Sequence, residues 1–375
     1  MDRPFRIRHR RRWPLYLALA GLAALALLWT ALWFRAAEAT QRTVTGWFAR
    51  EAQAGRLYGC GAQNIGGFPF RIEIGCEPAT MEWRSTEPTA FLNAKGLLIT
   101  AQIYQPTLLT SEFTGPLTMS GADGKRAFVA DWKSLETEAR GGPRNPQSAA
   151  ISMDAASFER VTANGYESLF QARHAEVQGR IVEGSAADNP VIGITLRLSG
   201  ATAPTINPLT AQPFDAEMTF VLHGLKDFSP KSWPDRFREI QAAGGHIDIN
   251  HARAQQGESI ALANGSLHIA PDGQLEGQLL VTVAGLDRLL PALGLDRLVK
   301  PGGRVDKLAT QLDRFMPGLG NIAREKAAPT IAAGVGLLGE QTQLEGRRAV
   351  ILPLRFSEGS MYLGGVSVGQ VKPLF

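Results

Sequence analysis

Six histidines, two cysteines and a few glycine-rich runs are the residues of this chain whose types and spacing could do chemistry. His246 and His251 form the nearest histidine pair, with Asp248 and Asn250 between them. In an extended strand His246, Asp248 and Asn250 share the face opposite Ile247 and Ile249, and His251 turns away. A metal site needs further donors converging from elsewhere, so the expectation here is a solvated strand face and no metal. Gly365-Val366-Ser367-Val368-Gly369 fits the G-x-S-x-G pattern, whose serine requires an acid and a histidine later in the chain. None of the six residues after Gly369 is Asp, Glu or His. Gly334-Val335-Gly336-Leu337-Leu338-Gly339 fits G-x-G-x-x-G, which in a dinucleotide site follows a strand and opens a helix. Here it closes an Ala-rich run, as close packing or a flexible lid would. Gly124-Lys125 lacks both the earlier Gly and the following Ser or Thr of a phosphate loop. The sequence therefore predicts no catalytic residue, no cofactor and no enzyme.

The two cysteines, Cys60 and Cys76, have no C-x-x-C spacing, and in an oxidising compartment a close even pair favours a disulfide over a metal site. Register tests that pairing. If Gly66-Gly67 were a two-residue turn, Cys60 would face Glu73 and Cys76 would lie on the opposite face, so a bridge requires a bulge or a different loop length.

The compartment is set by Trp13 to Phe34, 22 residues without one charge. About 20 apolar residues cross a bilayer core as a helix, and Trp13, Tyr16, Trp29, Trp33 and Phe34 cluster towards the two ends, at headgroup level. Arg3, Arg6, Arg8, Arg10, Arg11 and Arg12 precede it against a single Asp2, an excess that holds a tail in the cytoplasm. Residues 1–12 thus read as a basic cytoplasmic tail, 13–34 as a transmembrane anchor, and 40–375 as a periplasmic body with a sub-boundary near 228–246. Ala37-Glu38-Ala39 also matches a signal-peptide cleavage site, and Arg11-Arg12 a twin-arginine signal. The length of the apolar run favours a retained anchor in the bacterial inner membrane.

The formal net charge of +4 comes from that tail. Beyond residue 12 the chain carries 33 basic against 34 acidic residues, which excludes the basic footprint of a nucleic-acid binder. At 44% hydrophobic and 20% charged, the body has material for a large core.

From Phe68 onwards the body reads mostly as strands punctuated by Gly, Pro and Asp turns. Ile192, Ile194, Leu196 and Leu198 alternate with Gly193, Thr195, Arg197 and Ser199, and Phe214, Ala216, Met218, Phe220 and Leu222 alternate in the same way, with only Val221 out of pattern. One apolar and one wet face define an antiparallel sheet covered on one side. Helices are expected over 40–53 (short, or an ordered linker), 232–243, 286–299 and 305–322, with an apolar stretch over 327–339. The fold class is mainly β: a long curved antiparallel sheet with a few covering helices, behind one N-terminal transmembrane helix. With so few helices, either the sheet folds over itself or it curves around something apolar that is not protein.

Two stretches carry a resemblance. Gly66-Gly67-Phe68-Pro69-Phe70-Arg71 resembles the G-F-P-F-R segment of the bacterial envelope proteins grouped as domain of unknown function family 2125. Asn264 to Ile269, followed by Asp272-Gly273-Gln274-Leu275-Glu276-Gly277, is similar to that family's strand, turn, strand passage, and Leu352-Pro353-Leu354-Arg355-Phe356 with Glu358-Gly359 and Leu363-Gly364 is a third match. Cys60 and Cys76 are not part of the pattern. The family has no assigned activity and is distantly similar to AsmA-like envelope proteins, which implies by fold-level analogy an apolar groove suited to lipid. On that reading Ile192, Ile194, Leu196, Met218, Phe220, Leu279 and Val281 line a groove for lipid or another acyl-bearing molecule. The alternative is an envelope scaffold with a filled core that presents its polar strand faces to a protein partner.

Overall fold

A computed structural model describes residues 13–84, 89–142, 145–229, 231–286, 339–363 and 366–375. The expected helix over 286–299 beyond Leu286, the expected helix over 305–322, nearly all of the apolar stretch over 327–339, and Gly365 of the G-x-S-x-G run lie outside the described residues.

Helix α1 (Trp13–Gln53) is one continuous element of 41 residues. The sequence reading divided it near Thr40. The threonines there do not break it, because the hydroxyls of Thr40, Thr43 and Thr45 donate back to the carbonyls of Ala36, Ala39 and Gln41 within the same helix. Beyond Gln53 the chain turns through Gly55, whose φ of +78° is the left-handed conformation that favours glycine after a helix.

Among the described residues every strand belongs to one 17-stranded sheet. The first nine are β1 (Arg56–Gly66), β2 (Arg71–Trp83), β3 (Ala90–Gln102), β4 (Gln105–Ser120), β5 (Arg126–Asp131), β6 (Ser134–Gly142), β7 (Asn145–Thr162), β8 (Gly165–Ser185) and β9 (Asp188–Ala201). The remainder are β10 (Phe214–Leu222), β11 (His246–Gln256), β12 (Ser259–Ile269), β13 (Leu275–Ala284), β14 (Glu340–Leu344), β15 (Arg347–Ser357), β16 (Ser360–Leu363) and β17 (Val366–Gln370). Pairing is antiparallel throughout and almost entirely between neighbours in sequence, which makes the sheet a meander. Two places hold strands in tandem. β5 and β6 both lie between β4 and β7, and β14 and β16 pair with successive parts of β15, which also pairs with β13.

Helix α2 (Trp233–Ala242) connects β10 to β11. Ser232 caps it by accepting from the Asp235 N–H at 3.3 Å, and Pro234 sits in its first turn, where a missing N–H costs nothing. β10 and β11 pair directly across this excursion, so the sheet continues through it.

Buried side chains gather in separate clusters. Ala172, Ala175 and Ala201 form one with Met153, Phe170, Leu198 and Phe214. Towards the C-terminus, Val283, Leu286, Leu352 and Leu363 form a second, and Ile260, Ala284, Leu344 and Ala349 a third. The opposite face of the middle strands is charged: Arg197 donates to Glu176 and to Glu217, each at 3.3 Å, across β8, β9 and β10.

Candidate functional site

Directly paired residues in a sheet share a face, and the register carries one line across the meander that is apolar except at Ser111 and Thr137. From β1 it passes through Ile65, Ile74, Ile99, Ser111, Thr137, Ile151, Val177 and Leu196. It continues through Met218, Ala252, Ala263, Val281 and Leu352 in β15. A parallel line runs Ile72, Ala101, Leu109, Ala139, Ala149, Gly179, Ile194, Phe220, Ile249, Gly265, Leu279 and Leu354.

The seven residues expected to line a groove all fall on this face. Leu196 stands opposite Met218, Ile194 opposite Phe220, and Ile192 opposite Leu222. Leu279 and Val281 lie farther along the same two lines, and Val281 packs against the cluster of Val283 and Leu352. All seven are half-buried. In the middle of the sheet Ile151 and Val177 remain 44% and 42% exposed, so the apolar face is uncovered there. On the opposite, polar face, the missing side chain of Gly193 leaves a hollow of about 520 Å³ among Glu138, Arg140, Gln178, Arg180, Thr195 and Thr219.

Helix α2 roofs one end of the face. Trp233, Phe237 and Ile240 stand over Leu222, Ile247 and Leu267 and enclose an apolar cavity of about 330 Å³. Charge fixes this roof at its rim: Arg236 donates to the Asp227 carbonyl at 2.8 Å and to Glu239 at 2.7 Å, and Lys231 pairs with Glu239. Hydrogen bonds from the Ser229 hydroxyl and N–H, with Lys231 close by, hold the Asp227 carboxyl at about 2, below its ordinary 3.8.

Cys60 and Cys76 are joined by a disulfide with a Cα–Cα distance of 5.3 Å. The loop length differs from the two-residue case. β1 and β2 are connected through residues 67–70 and Gly66 faces Glu73, but Cys60 faces Ala79 and Cys76 faces Gln63, an odd offset as in the two-residue case, so loop length alone leaves the parity unchanged. The bridge runs diagonally across the stretch where Gly61 and Pro78 interrupt the ladder.

The histidines are arranged differently from the simple strand reading. The β10–β11 register shifts at Thr219/Phe220, Asn250 is the unpaired extra residue, and His251 stands opposite Thr219. Asp248 is met instead by His223, from just beyond β10. His223 and His246 stack at 4.3 Å, and their Nε2 atoms lie 3.5 and 3.3 Å from Asp248 Oδ2. The three donor atoms lie within 4.8 Å of one another, close enough to hold a metal ion, and the two histidine–aspartate separations are near the edge of a tetrahedral zinc shell with bonds of about 2.0 Å. Half-exposed carboxylate–imidazole pairs also satisfy the same groups without an ion.

Sequence reasoning missed one further assembly, at the turn between β1 and β2. The indoles of Trp29 and Trp33 donate to the carbonyls of Pro69 and Arg71, each at 3.0 Å, and the Trp33 ring meets Phe68 edge-on at 5.5 Å. The signal was present in two aromatic groups, one in the apolar run and one in the G-F-P-F-R segment, but nothing in the sequence joins them.

Fold and site together define a mainly β protein: one wide antiparallel meander with a partly uncovered apolar face, behind a helix apolar enough to span a membrane. The chain belongs to the family described as uncharacterized protein conserved in bacteria (DUF2125), whose model matches residues 33–372. That match bears out the resemblance carried by Gly66 to Arg71. No curated protein matches the chain.

Proposed function

We propose that this protein is held in the bacterial inner membrane by α1, with its β-rich body in the periplasm, and that the apolar sheet face takes up lipid acyl chains in envelope lipid handling. The observation that carries this reading is the uncovered apolar line at Ile151 and Val177, continuous with Leu196 and Met218. An exposed contiguous apolar patch on a folded chain marks an interaction site. The proposed role is non-enzymatic, a reading supported by the apolar character of this face among the described residues. The arginines before Trp13 supply the orientation.

A protein-binding scaffold is the second reading, and the filled clusters around Val283 and Ile260 favour it for the C-terminal strands. The two readings separate in an organic extract of the exported body, residues 40–375, purified without detergent and analysed by mass spectrometry. Lipid binding gives a near-stoichiometric lipid that disappears in Met218→Asp or Phe220→Asp while the fold is kept. A lipid-free, stable monomer would overturn it.

A further inference from the structure

The Gly66 to Arg71 segment is the most distinctive motif of the chain, and lipid uptake along the middle strands gives it no role. Its position relative to α1 gives it one. Trp29 lies five residues before Phe34, the last residue of the uncharged run, so at 1.5 Å per residue its level is about 8 Å towards the bilayer centre from the end of that run. Pro69 is hydrogen-bonded to Trp29 and Arg71 to Trp33, which places the turn beside the last apolar turns of the helix and not above them.

We infer that the β1–β2 turn, residues 67–70, is seated in the headgroup-to-acyl boundary of the same bilayer that holds α1. Backbone in that region must find its hydrogen-bond partners within the protein. The carbonyls of Pro69 and Arg71 find theirs in the two indoles, and the carbonyl of Phe70 accepts from the Ile103 N–H at 3.0 Å. The side chains suit the same place: Phe70 is 65% exposed, Phe68 51%, and Tyr104, in the adjoining β3–β4 turn, 71%. Aromatic rings in this arrangement favour the interface. Gly67, at φ +95°, permits the turn, since a Cβ there would stand 2.7 Å from the Arg71 carbonyl oxygen.

The inference rests on the reading of α1 as an anchor, and it adds a point of entry. Ile72, the first residue of the second apolar line, is separated from the turn only by Arg71 and pairs with Ala101. The apolar face therefore begins at the bilayer surface, where an acyl chain could pass from leaflet to sheet without crossing water.

The test uses the full chain in nanodiscs of phosphatidylethanolamine and phosphatidylglycerol. p-Benzoylphenylalanine replaces Leu22, Phe70 or Tyr166 in turn, and mass spectrometry reads lipid adducts after illumination. Tyr166 is equally exposed but lies in β8 at the hairpin end it shares with β7, opposite Val161 and at the opposite strand ends. The inference expects adducts at positions 22 and 70 and none at 166. It also expects a several-fold loss at 70, with no change at 22, when Trp29 and Trp33 are both changed to Phe. Adducts at 22 without adducts at 70 would overturn the seated turn and leave the anchor standing. Failure at 22 as well would overturn both.

Discussion

If the apolar face is open at its centre and packed towards the C-terminus, the same truncation should cost different amounts at two valines on it. Val177 is 42% exposed and Val283 is 6% exposed within a closed cluster. Val→Ala removes two carbons, worth about 0.8 kcal/mol each when fully buried. At Val283 a residual cavity adds to this, for a loss of about 2–3 kcal/mol. At Val177 little over half of the transfer term applies and there is no closed cavity to leave, so the loss should be about 1 kcal/mol or less. Urea unfolding of the oxidised, lipid-stripped body measures both, as a shift of midpoint at constant slope. Lipid must be removed first, because a ligand bound to the folded state adds its own stabilisation. Equal losses at the two sites would refute the open face, since something would then cover Val177 as completely as Leu352 and Leu363 cover Val283.

Three smaller predictions accompany it. Reduction, or Cys76→Ser, should destabilise the body by about 3 kcal/mol, the chain-entropy value for a loop near this length, given the separation of 16 residues between the cysteines; denaturant titration with and without reductant reads the difference. Ser232→Ala removes the cap of α2 and should cost about 1 kcal/mol, together with faster amide exchange in the helix's first turn. The depressed Asp227 carboxyl contributes stability that is present above pH 4 and lost as pH falls towards about 2, so an acid titration of Asp227→Asn should be flatter than that of the parent over that window.

The parts of the fold legible in sequence were those fixed by local alternation. Ile192 to Leu198 and Phe214 to Leu222 each declare a face without knowledge of a partner, and the structure pairs them as neighbours in one sheet. Trp233, Phe237 and Ile240 at helical spacing, with Gly244-Gly245 as a stop, mark α2 in the same local way. Register is not local. It depends on loop lengths and bulges, so the diagonal Cys60–Cys76 bridge and the displacement of His251 by the extra Asn250 could not be read from spacing. Strand β14, Glu-Gln-Thr-Gln-Leu, carries no apolar alternation and exists because β15 supplies its partner. Phe68 to Phe70 looked like the start of a strand because aromatics favour strands; here they form a turn, and what they pack against lies 40 residues earlier in α1. The line from Ile65 to Leu352 is likewise a property of twelve separate registers and of no single segment.

That line also bears on what kind of partner the open face suits. Around Ile151 and Val177 the strands are flanked on both sides, so their backbone groups are engaged in ladders and a bound segment could not add itself as another strand. Whatever binds there gains from apolar contact alone. An acyl chain meets that condition without cost, having no polar groups to satisfy, whereas a protein segment must first bury its own backbone as an amphipathic helix. Arg140 and Arg180, which line a hollow in the same strands, pair in register with Ser148 and Gly193 and so stand on the opposite, polar face with Glu138. The open face therefore suits the acyl part of a molecule alone, and that chemistry matches the leaflet to which α1 would tether the sheet.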